Sequence, residues 1–398
     1  MRLRTLVTLT VLGLTLQPLS AFQASWPPRN TATRRHQAAA LPVRMGASSK
    51  SRAKAKSAKK SKAGPKATKI SLRGFGRPAP GQGMLLEDDA FKALYAQLLT
   101  EGANLERVAV AEFDGLRGVM ALKDLAPGDE IVAIPGPSAI NLGSQSDDPV
   151  RAALALLAAQ ERDAAAGERQ AYWQLLPPPD AADLCTPDFF SEKELQMLQW
   201  PPLVTEVRGR SAAMRKALGD TAPSGDTSIE MLGIAGGRMR QLRWATFLVL
   251  SRVLTVQGPA GSSSLNKLLI PFIDMFNHRA SCKHYLTGRT DGMLRVVAGE
   301  PVKAGEQVHI VYGTDATTNA EMLGHYGFVD AGAAAADQRL VAASPQMLPA
   351  LERTSVAEDE ALLAAAEPLP YNEQLAVRFR LALKRGAAKE AAAAAASG

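Results

Sequence analysis

Between residues 87 and 136, the spacing of apolar positions changes from a helical to a strand-like period. Residues 87–100 place Phe91, Leu94 and Leu98 at helical spacing, which predicts an amphipathic helix. Residues 108–136 then carry short β-rich stretches separated by Asp-Gly and Pro-Gly pairs. This second pattern predicts three short strands joined by tight turns.

The middle of the chain has a helical pattern over residues 150–256. Its first, alanine-rich part ends at the three consecutive prolines 177–179. Ser191 and Glu194 have the spacing of a capping box, which predicts the start of a further helix. The segment 241–256 is apolar on nearly all faces, which predicts a buried helix that is too short for a membrane span.

A strand pattern returns in "KLLIPFIDMF", "MLRVVAG" and "EQVHIVYG", and the chain becomes alanine-rich after Asp330. Within that last part, residues 372–384 have the spacing of an amphipathic helix. This order predicts four units: a first β unit at 85–149, a helical insert at 150–265, a second β unit at 266–330 and a short helical C-terminal lobe at 332–398.

The charge of the 398-residue chain is unevenly distributed. Residues 1–86 hold 17 of the 46 basic residues and none of the 39 acidic ones, which leaves 29 basic against 39 acidic residues in the remainder. The formal net charge of +7 therefore belongs to the N-terminus. The acidic excess of the body gives no reason to expect a nucleic-acid surface there.

The N-terminal residues have the composition of targeting segments. Residues 1–21 begin with Arg2 and Arg4, continue with an apolar run and end in small residues, as a signal peptide does. Residues 22–69 are basic, acid-free and rich in Ala and Ser, which is typical of a transit peptide. With Phe22 at the junction, the pair resembles the two-part address of proteins sent into plastids of secondary endosymbiotic algae. We expect a plastid location and no membrane span in the mature chain; secretion with a disordered basic arm is the alternative.

Two cysteines, Cys185 and Cys282, exclude a disulfide framework and a four-cysteine zinc cluster. Cys282 lies between His278 and His284, and imidazole and thiolate are suitable zinc ligands. Three ligands from one short loop without a fourth nearby form a poor structural site. We therefore predict no metal, and a zinc protein remains the alternative.

Four segments follow one another in a fixed order: "RGVMALKDLAPGDEIVAIP", "WATFLVLSR", "IPFIDMFNH" and "GEQVHIVYGTDATTNAEMLGHYGFVD". This series resembles the SET-domain protein methyltransferases of the Rubisco large-subunit lysine methyltransferase class, over about residues 85–330. The most specific part is an Asn-His pair followed by a Tyr-Gly strand end and "NAEMLGHYGF".

The resemblance implies an α+β fold, the SET fold of small curled β-sheets, with an inserted helical subdomain and a short helical C-terminal lobe. The segment of Asn277 and His278 would lie beside that of Tyr312 as a pseudoknot. The implied cofactor is S-adenosylmethionine, and the implied partner is a protein that offers a lysine side chain.

The resemblance also implies the residues of the site. Six would bind the cofactor: Gly115, Leu116, Arg117, Arg252, Asn277 and His278. Three would line the channel for the target lysine: Asp274, Tyr326 and Phe328. Tyr312 would be the catalytic tyrosine, because a phenol orients an attacking amine without adding a full charge beside a sulfonium.

Several readings of the substrate remain open. Some relatives methylate histidine, and the apolar Leu254 near Arg252 favours lysine. A catalytically inactive SET-fold binding module is the other alternative. The C-terminal lobe is shorter than in this class, so the target protein is unassigned; the class suggests the Rubisco large subunit or fructose-bisphosphate aldolase.

Overall fold

The chain is described by a computed structural model at residues 83–144, 148–181, 184–219, 229–257, 265–288 and 291–397, with backbone only at 229–236 and 390–397. The predicted signal peptide at 1–21 and transit peptide at 22–69 lie outside these residues.

Short strands from distant parts of the described chain form three small sheets. The strands are β1 Met84–Leu85, β2 Val108–Phe113, β3 Leu116–Ala121, β4 Glu130–Pro135, β5 Ile140–Ser144, β6 Val253–Gln257, β7 Leu265–Leu269, β8 Asn277–His278, β9 Tyr285–Gly288, β10 Met293–Val297 and β11 Gln307–Ile310. The sheets have the strand orders β1-β2-β3-β11-β8, β4-β10-β9 and β5-β7-β6.

Most of the helices lie in the insert between β5 and β6 and in the C-terminal lobe. The α-helices of the described residues are α1 Asp89–Thr100, α2 Pro149–Ala166, α3 Gln170–Leu175, α4 Glu192–Met197, α5 Pro201–Ala217, α6 Ile229–Arg252, α7 Asn319–Glu321, α8 Ala334–Ala342, α9 Leu348–Leu351, α10 Val356–Ala364 and α11 Tyr371–Ser397. None of these described helices is both long enough and apolar enough to cross a membrane.

The structure contains the elements that the sequence predicted from helix caps and turn residues. The Asp88 carboxylate caps α1 by accepting the backbone N–H groups of Ala90 and Phe91. The hairpin of β2 and β3 turns at Asp114 and Gly115, both at positive φ, as a two-residue Asp-Gly turn requires. The capping box of Ser191 and Glu194 at the start of α4 is also confirmed.

The helix predicted for 241–256 is wrong at its C-terminal end. Helix α6 ends at Arg252, and Val253–Gln257 forms strand β6, which pairs antiparallel with β7. Val253, Thr255 and Val256 are β-branched, a side-chain type that favours strands when a partner strand is present. The spacing of apolar residues within 241–256 carries no information about the partner strand β7.

One parallel pair of strands gives the fold its pseudoknot. Strand β11 pairs antiparallel with β3 on one side and parallel with β8 on the other. In the parallel pair, Asn277 lies opposite His309 and His278 opposite Ile310. The chain segment before Tyr312 therefore lies beside the Asn-His pair, as the resemblance implied.

The C-terminal lobe packs on the insert through a second apolar core, in which Leu198, Trp200 and Phe379 are almost completely buried. The amphipathic helix predicted at 372–384 is confirmed within α11, but two of its basic residues are inside the protein. Arg380 and Lys384 both bind the buried carboxylate of Asp359.

Candidate functional site

Two cavities lie side by side where the pseudoknot meets the insert. Their empty volumes, open mouths included, are about 880 Å³ and about 1180 Å³. They share five lining residues, namely Ser251, Arg252, Asp274, Tyr312 and Tyr326. The cavities therefore meet at the tyrosine that the sequence singled out.

The structure brings most of the predicted residues to these two cavities. Five of the six predicted cofactor residues line the first cavity: Leu116, Arg117, Arg252, Asn277 and His278. Gly115 lies one residue outside, in the turn of the β2–β3 hairpin. Tyr326 lines both cavities, whereas Phe328, expected in the substrate channel, lines the first.

The side chain of Asn277 joins three strands. Its Nδ2 donates to the backbone oxygen of Arg117 over 2.7 Å and to Oε1 of Gln307 over 2.8 Å. Both amide hydrogens are thus used within the protein. The remaining hydrogen-bonding atom is Oδ1, which accepts, so the side chain offers an acceptor to a ligand in the first cavity.

The hydrogen bonds of His278 fix its tautomer. The backbone N–H of Tyr312 donates to Nδ1 over 2.9 Å, so Nδ1 carries no proton. Nε2 therefore carries the proton and donates to Oδ2 of Asp330 over 3.1 Å. The imidazole links Tyr312, two residues after β11, to Asp330, two residues after Phe328.

Tyr312 is held at the junction of the cavities. Its hydroxyl donates to the backbone oxygen of Phe276 over 2.5 Å, and its ring lies 4.7 Å from that of Tyr326, centroid to centroid. Burial raises the pKa of Tyr312 to about 12 and also raises that of Tyr326. Both phenols are therefore protonated at any pH near neutrality.

Asp274 was expected to line the lysine channel with its carboxylate, but the structure encloses that carboxylate. The residue as a whole is half-buried, but its side chain has no exposed surface, so its backbone lines the cavities. Oδ2 accepts from Nη1 of Arg252 over 3.2 Å and from the hydroxyl of Tyr172 over 3.1 Å. The carboxylate is thus enclosed behind Arg252 as its counter-ion.

The first cavity contains two guanidinium groups. Arg117 donates from Nη1 to the backbone oxygen of Leu175 over 2.8 Å. Burial, together with the positive charge of Arg252, lowers the pKa of Arg117 to about 10. Apart from Asp274, whose carboxylate is enclosed, none of the described residues that line this cavity is acidic. The net positive charge favours an anionic ligand group.

The structure adds residues that the sequence did not single out. Gln307 is the second partner of Asn277, Asp330 the partner of His278, and Tyr172 the partner of Asp274. Asp330 is the last residue of the segment "GEQVHIVYGTDATTNAEMLGHYGFVD", so a sequence motif already contains it. Tyr172 lies 102 residues before Asp274 and carried no signal of its own.

The zinc alternative does not fit the donor atoms. His278 is bound to Tyr312 and Asp330, and a nearby cluster consists instead of Cys282, His284 and Glu300. Glu300 already pairs with Arg279, and the thiol of Cys282 donates to the backbone oxygen of His309 over 3.2 Å. Nδ1 of His284 accepts from Gly299 over 3.1 Å, so the proton of this imidazole lies on Nε2, which is buried without a hydrogen-bond partner among the described residues. Burial also raises the pKa of the Cys282 thiol, which disfavours a thiolate ligand.

Both described cysteines, Cys185 and Cys282, are buried, and no disulfide joins them. Elemental analysis of the purified protein tests the zinc alternative directly; about one zinc per chain would contradict our interpretation of this cluster.

Comparisons with known proteins identify the fold of this chain. No protein-family model matches the chain. No curated protein matches it either. Solved structures do match: the crystal structure of the SET domain of LSMT bound to MeLysine and AdoHcy has a TM-score of 0.55 at 17% identity, covering 77% of this chain and 91% of that one.

Two further structures agree with this match. The structure of Rubisco LSMT bound to AdoMet has a TM-score of 0.53, covering 76% of this chain and 93% of that one. The structure of Rubisco LSMT bound to Sinefungin and Monomethyllysine has a TM-score of 0.52, covering 77% and 91%. Each is 17% identical to this chain. The chain therefore has the SET fold, which confirms the predicted fold class.

Proposed function

We propose that the protein is an S-adenosylmethionine-dependent protein-lysine N-methyltransferase. The observation that carries this proposal is the meeting of two cavities at Tyr312. One cavity offers guanidinium groups and the other apolar and aromatic walls. Such an arrangement suits a reaction in which two ligands approach one point from opposite sides.

The first cavity fits the cofactor. Arg117 and Arg252 suit the carboxylate of an amino acid, and Nε of Arg252 is buried without a hydrogen-bond partner among the described residues. Oδ1 of Asn277 suits an ammonium group. S-adenosylmethionine, when bound, supplies an electrophilic methyl group on a sulfonium. The SET-fold neighbours bind AdoMet, AdoHcy or Sinefungin, which supports this assignment.

The second cavity fits a lysine side chain. Leu254, Ile273, Phe276 and Tyr285 contribute apolar and aromatic surface, and aromatic faces attract a cationic ammonium as it arrives. Burial then lowers the pKa of the amine, which is nucleophilic only when neutral. The positive guanidinium of Arg252 at the inner end lowers it further.

The hydroxyl of Tyr312 directs the two ligands towards each other. It stays protonated because burial raises its pKa to about 12, so it adds no negative charge beside a cation. Its hydrogen bond to Phe276 and the bond from its own backbone N–H to His278 fix its direction. Methyl transfer is an in-line displacement, so fixed alignment is the main contribution of the protein.

Lysine is favoured over histidine as the target. Leu254 is apolar at the wall of the second cavity, where a neutral imidazole would gain from a polar partner. Two of the SET-fold neighbours bind MeLysine or Monomethyllysine. Histidine methylation and a non-catalytic binding module are the outcomes against which the experiment discriminates.

We further propose that the protein acts in a plastid on an abundant stromal protein, such as the Rubisco large subunit or fructose-bisphosphate aldolase. The composition of residues 1–69 supports the location, and the class of fold neighbour supports the substrate. A fusion of residues 1–86 to a fluorescent protein tests the location. Export of the fusion from the cell would favour the secreted alternative.

The function is tested by calorimetric titration with S-adenosylhomocysteine and by transfer of tritiated methyl groups to a stromal extract, followed by mass spectrometry. We expect binding, and label on lysine. Binding without transfer to any protein would indicate the binding module, and label on histidine would indicate the histidine enzyme. A protein that binds neither S-adenosylmethionine nor S-adenosylhomocysteine contradicts the proposal.

A substitution at Gly118 tests the cofactor cavity. A methyl group at this position would lie 2.8 Å from Oε1 of Gln307 and 3.0 Å from Nδ2 of Asn277. We expect Gly118→Ala to displace Asn277 and to weaken S-adenosylhomocysteine binding by about tenfold, since overpacking costs about 1–3 kcal/mol. The control is Gly209→Ala in α5, where a methyl group meets no atom within 4 Å. Equal affinities of the two variants would show that Asn277 does not shape the cavity.

A further inference from the structure

We propose that helix α3 of the insert positions both guanidinium groups of the first cavity and thereby sets the affinity for the carboxylate of the cofactor. The inference rests on the proposed function and deepens it. It concerns residues behind the cavity wall, which are positioning residues.

The first contact of α3 acts through Asp274. The side chain of Tyr172 is completely buried, and its hydroxyl donates to Oδ2 of Asp274 over 3.1 Å. The same oxygen accepts from Nη1 of Arg252 over 3.2 Å, and the backbone oxygen of Asp274 accepts from that Nη1 over 2.9 Å. The carboxylate is thus held from two sides, so the Tyr172 hydroxyl fixes the group that orients Arg252.

The second contact of α3 acts directly on Arg117. The backbone oxygen of Leu175, the last residue of the helix, accepts from Nη1 of Arg117 over 2.8 Å. Tyr172 and Leu175 are three residues apart and therefore lie on the same face of the helix. One short element thus holds both arginines from behind.

Helix α3 is itself tied to the rest of the insert. Nε1 of Trp173 donates to Oδ2 of Asp163 in α2 over 2.9 Å. Arg169, which precedes α3, binds both oxygens of the same carboxylate over 2.7 Å and 2.6 Å. The Asp163 carboxylate is buried, so this anchor is shielded from solvent.

Two like charges in one enclosed cavity repel each other, so the arginines need supports that keep them in place before an anion arrives. The Leu175 carbonyl and the Tyr172–Asp274 pair provide such supports without occupying the ligand side of the cavity. A preorganised pair binds its ligand more tightly because the cost of ordering is met on folding.

The test compares two ligands that differ in the amino-acid part. S-adenosylhomocysteine carries the carboxylate, whereas 5′-methylthioadenosine lacks it. We expect Tyr172→Phe to raise the calorimetric Kd of S-adenosylhomocysteine by about tenfold, the magnitude of one hydrogen bond to a charged group. The Kd of 5′-methylthioadenosine should not change. The control is Tyr95→Phe, which removes a partly buried hydroxyl that accepts from the N–H of Val110, outside both cavities.

A double-mutant cycle identifies the route of the effect. In an Arg252→Ala background, Tyr172→Phe should cause no further loss of S-adenosylhomocysteine affinity, because the group it positions is gone. Equal losses for both ligands, or an undiminished loss in that background, would overturn the inference.

A second variant and the wild-type protein distinguish failure of this inference from misfolding and from failure of the proposed function. If Tyr172→Phe does not fold, Asp274→Asn makes the same comparison, and an unchanged ratio of the two affinities overturns the inference. A wild-type protein that binds neither ligand overturns the proposed function and, with it, this inference.

Discussion

We expect the substitution Tyr312→Phe to lower the rate of methyl transfer by about 100- to 1000-fold, the effect of removing one preorganised hydrogen-bonding group at a reacting centre. The ring stays, so the contacts with Tyr326 and Phe328 persist. Cofactor affinity should stay nearly unchanged, because the backbone N–H of Tyr312, which binds His278, is retained. The measurements are single-turnover transfer of labelled methyl groups and calorimetry with S-adenosylhomocysteine.

The matched control for this prediction is Tyr95→Phe. Burial raises the pKa of Tyr95 to about 12, as it does for Tyr312, but its hydroxyl binds the backbone N–H of Val110 away from both cavities. We expect this variant to keep the wild-type rate. An unchanged rate in Tyr312→Phe would remove Tyr312 from its role at the junction.

The substitution Asp359→Asn should lower the free energy of unfolding by about 3–5 kcal/mol, because it leaves two buried cations without their counter-ion. The Asp359 side chain has no exposed surface and accepts from Nη2 of Arg380 and from Nζ of Lys384, each over 2.6 Å. Arg380 also donates to the backbone oxygen of Met197, which ties the C-terminal lobe to the insert. Urea unfolding monitored by circular dichroism measures the change.

The neighbouring Glu360 provides the control. It pairs with Arg385 over 2.7 Å, but both side chains are more than half exposed. Glu360→Gln should therefore change the free energy of unfolding by less than about 1 kcal/mol. If the two substitutions lower the free energy of unfolding by similar amounts, burial does not explain the contribution of the Asp359 cluster.

The Asp359 effect also depends on pH. Burial raises the pKa of this carboxyl, but hydrogen bonds from Arg380 and Lys384 outweigh burial and hold the pKa below its ordinary value. A lowered pKa means that the stabilisation is complete above about pH 4 and is lost as the pH falls through the folded-state pKa. The difference in stability between wild type and Asp359→Asn should therefore shrink in acid.

The sequence predicted those parts of the site that lie within short motifs. Asn277 and His278 are adjacent, and Tyr312 lies two residues after β11, a strand with its own β pattern in the sequence. The resemblance of these segments to a known class was enough to predict that they lie side by side in the fold. The register of the parallel pair, with Asn277 opposite His309, was not predicted from the motifs and is known only from the structure.

The sequence did not predict contacts whose partners lie far apart and look ordinary in isolation. Tyr172 sits in a short helical stretch, and nothing nearby indicates that its hydroxyl meets Asp274. The spacing of residues 372–384 predicts an amphipathic helix but not that Arg380 and Lys384 are buried on Asp359. The apolar residues of strand β6 suit a helical period as well as a strand period, and only its pairing with β7 selects the strand.

The sequence by itself determined most of the local elements, their order and the chemical types of the residues at the pseudoknot, because capping, turn formation and periodicity act over a few residues. Only the tertiary structure decided which charges are enclosed and where the two cavities meet. Burial and ion pairing depend on segments that approach through space, so the enclosed position of the Asp274 carboxylate behind Arg252 became visible only in the folded chain.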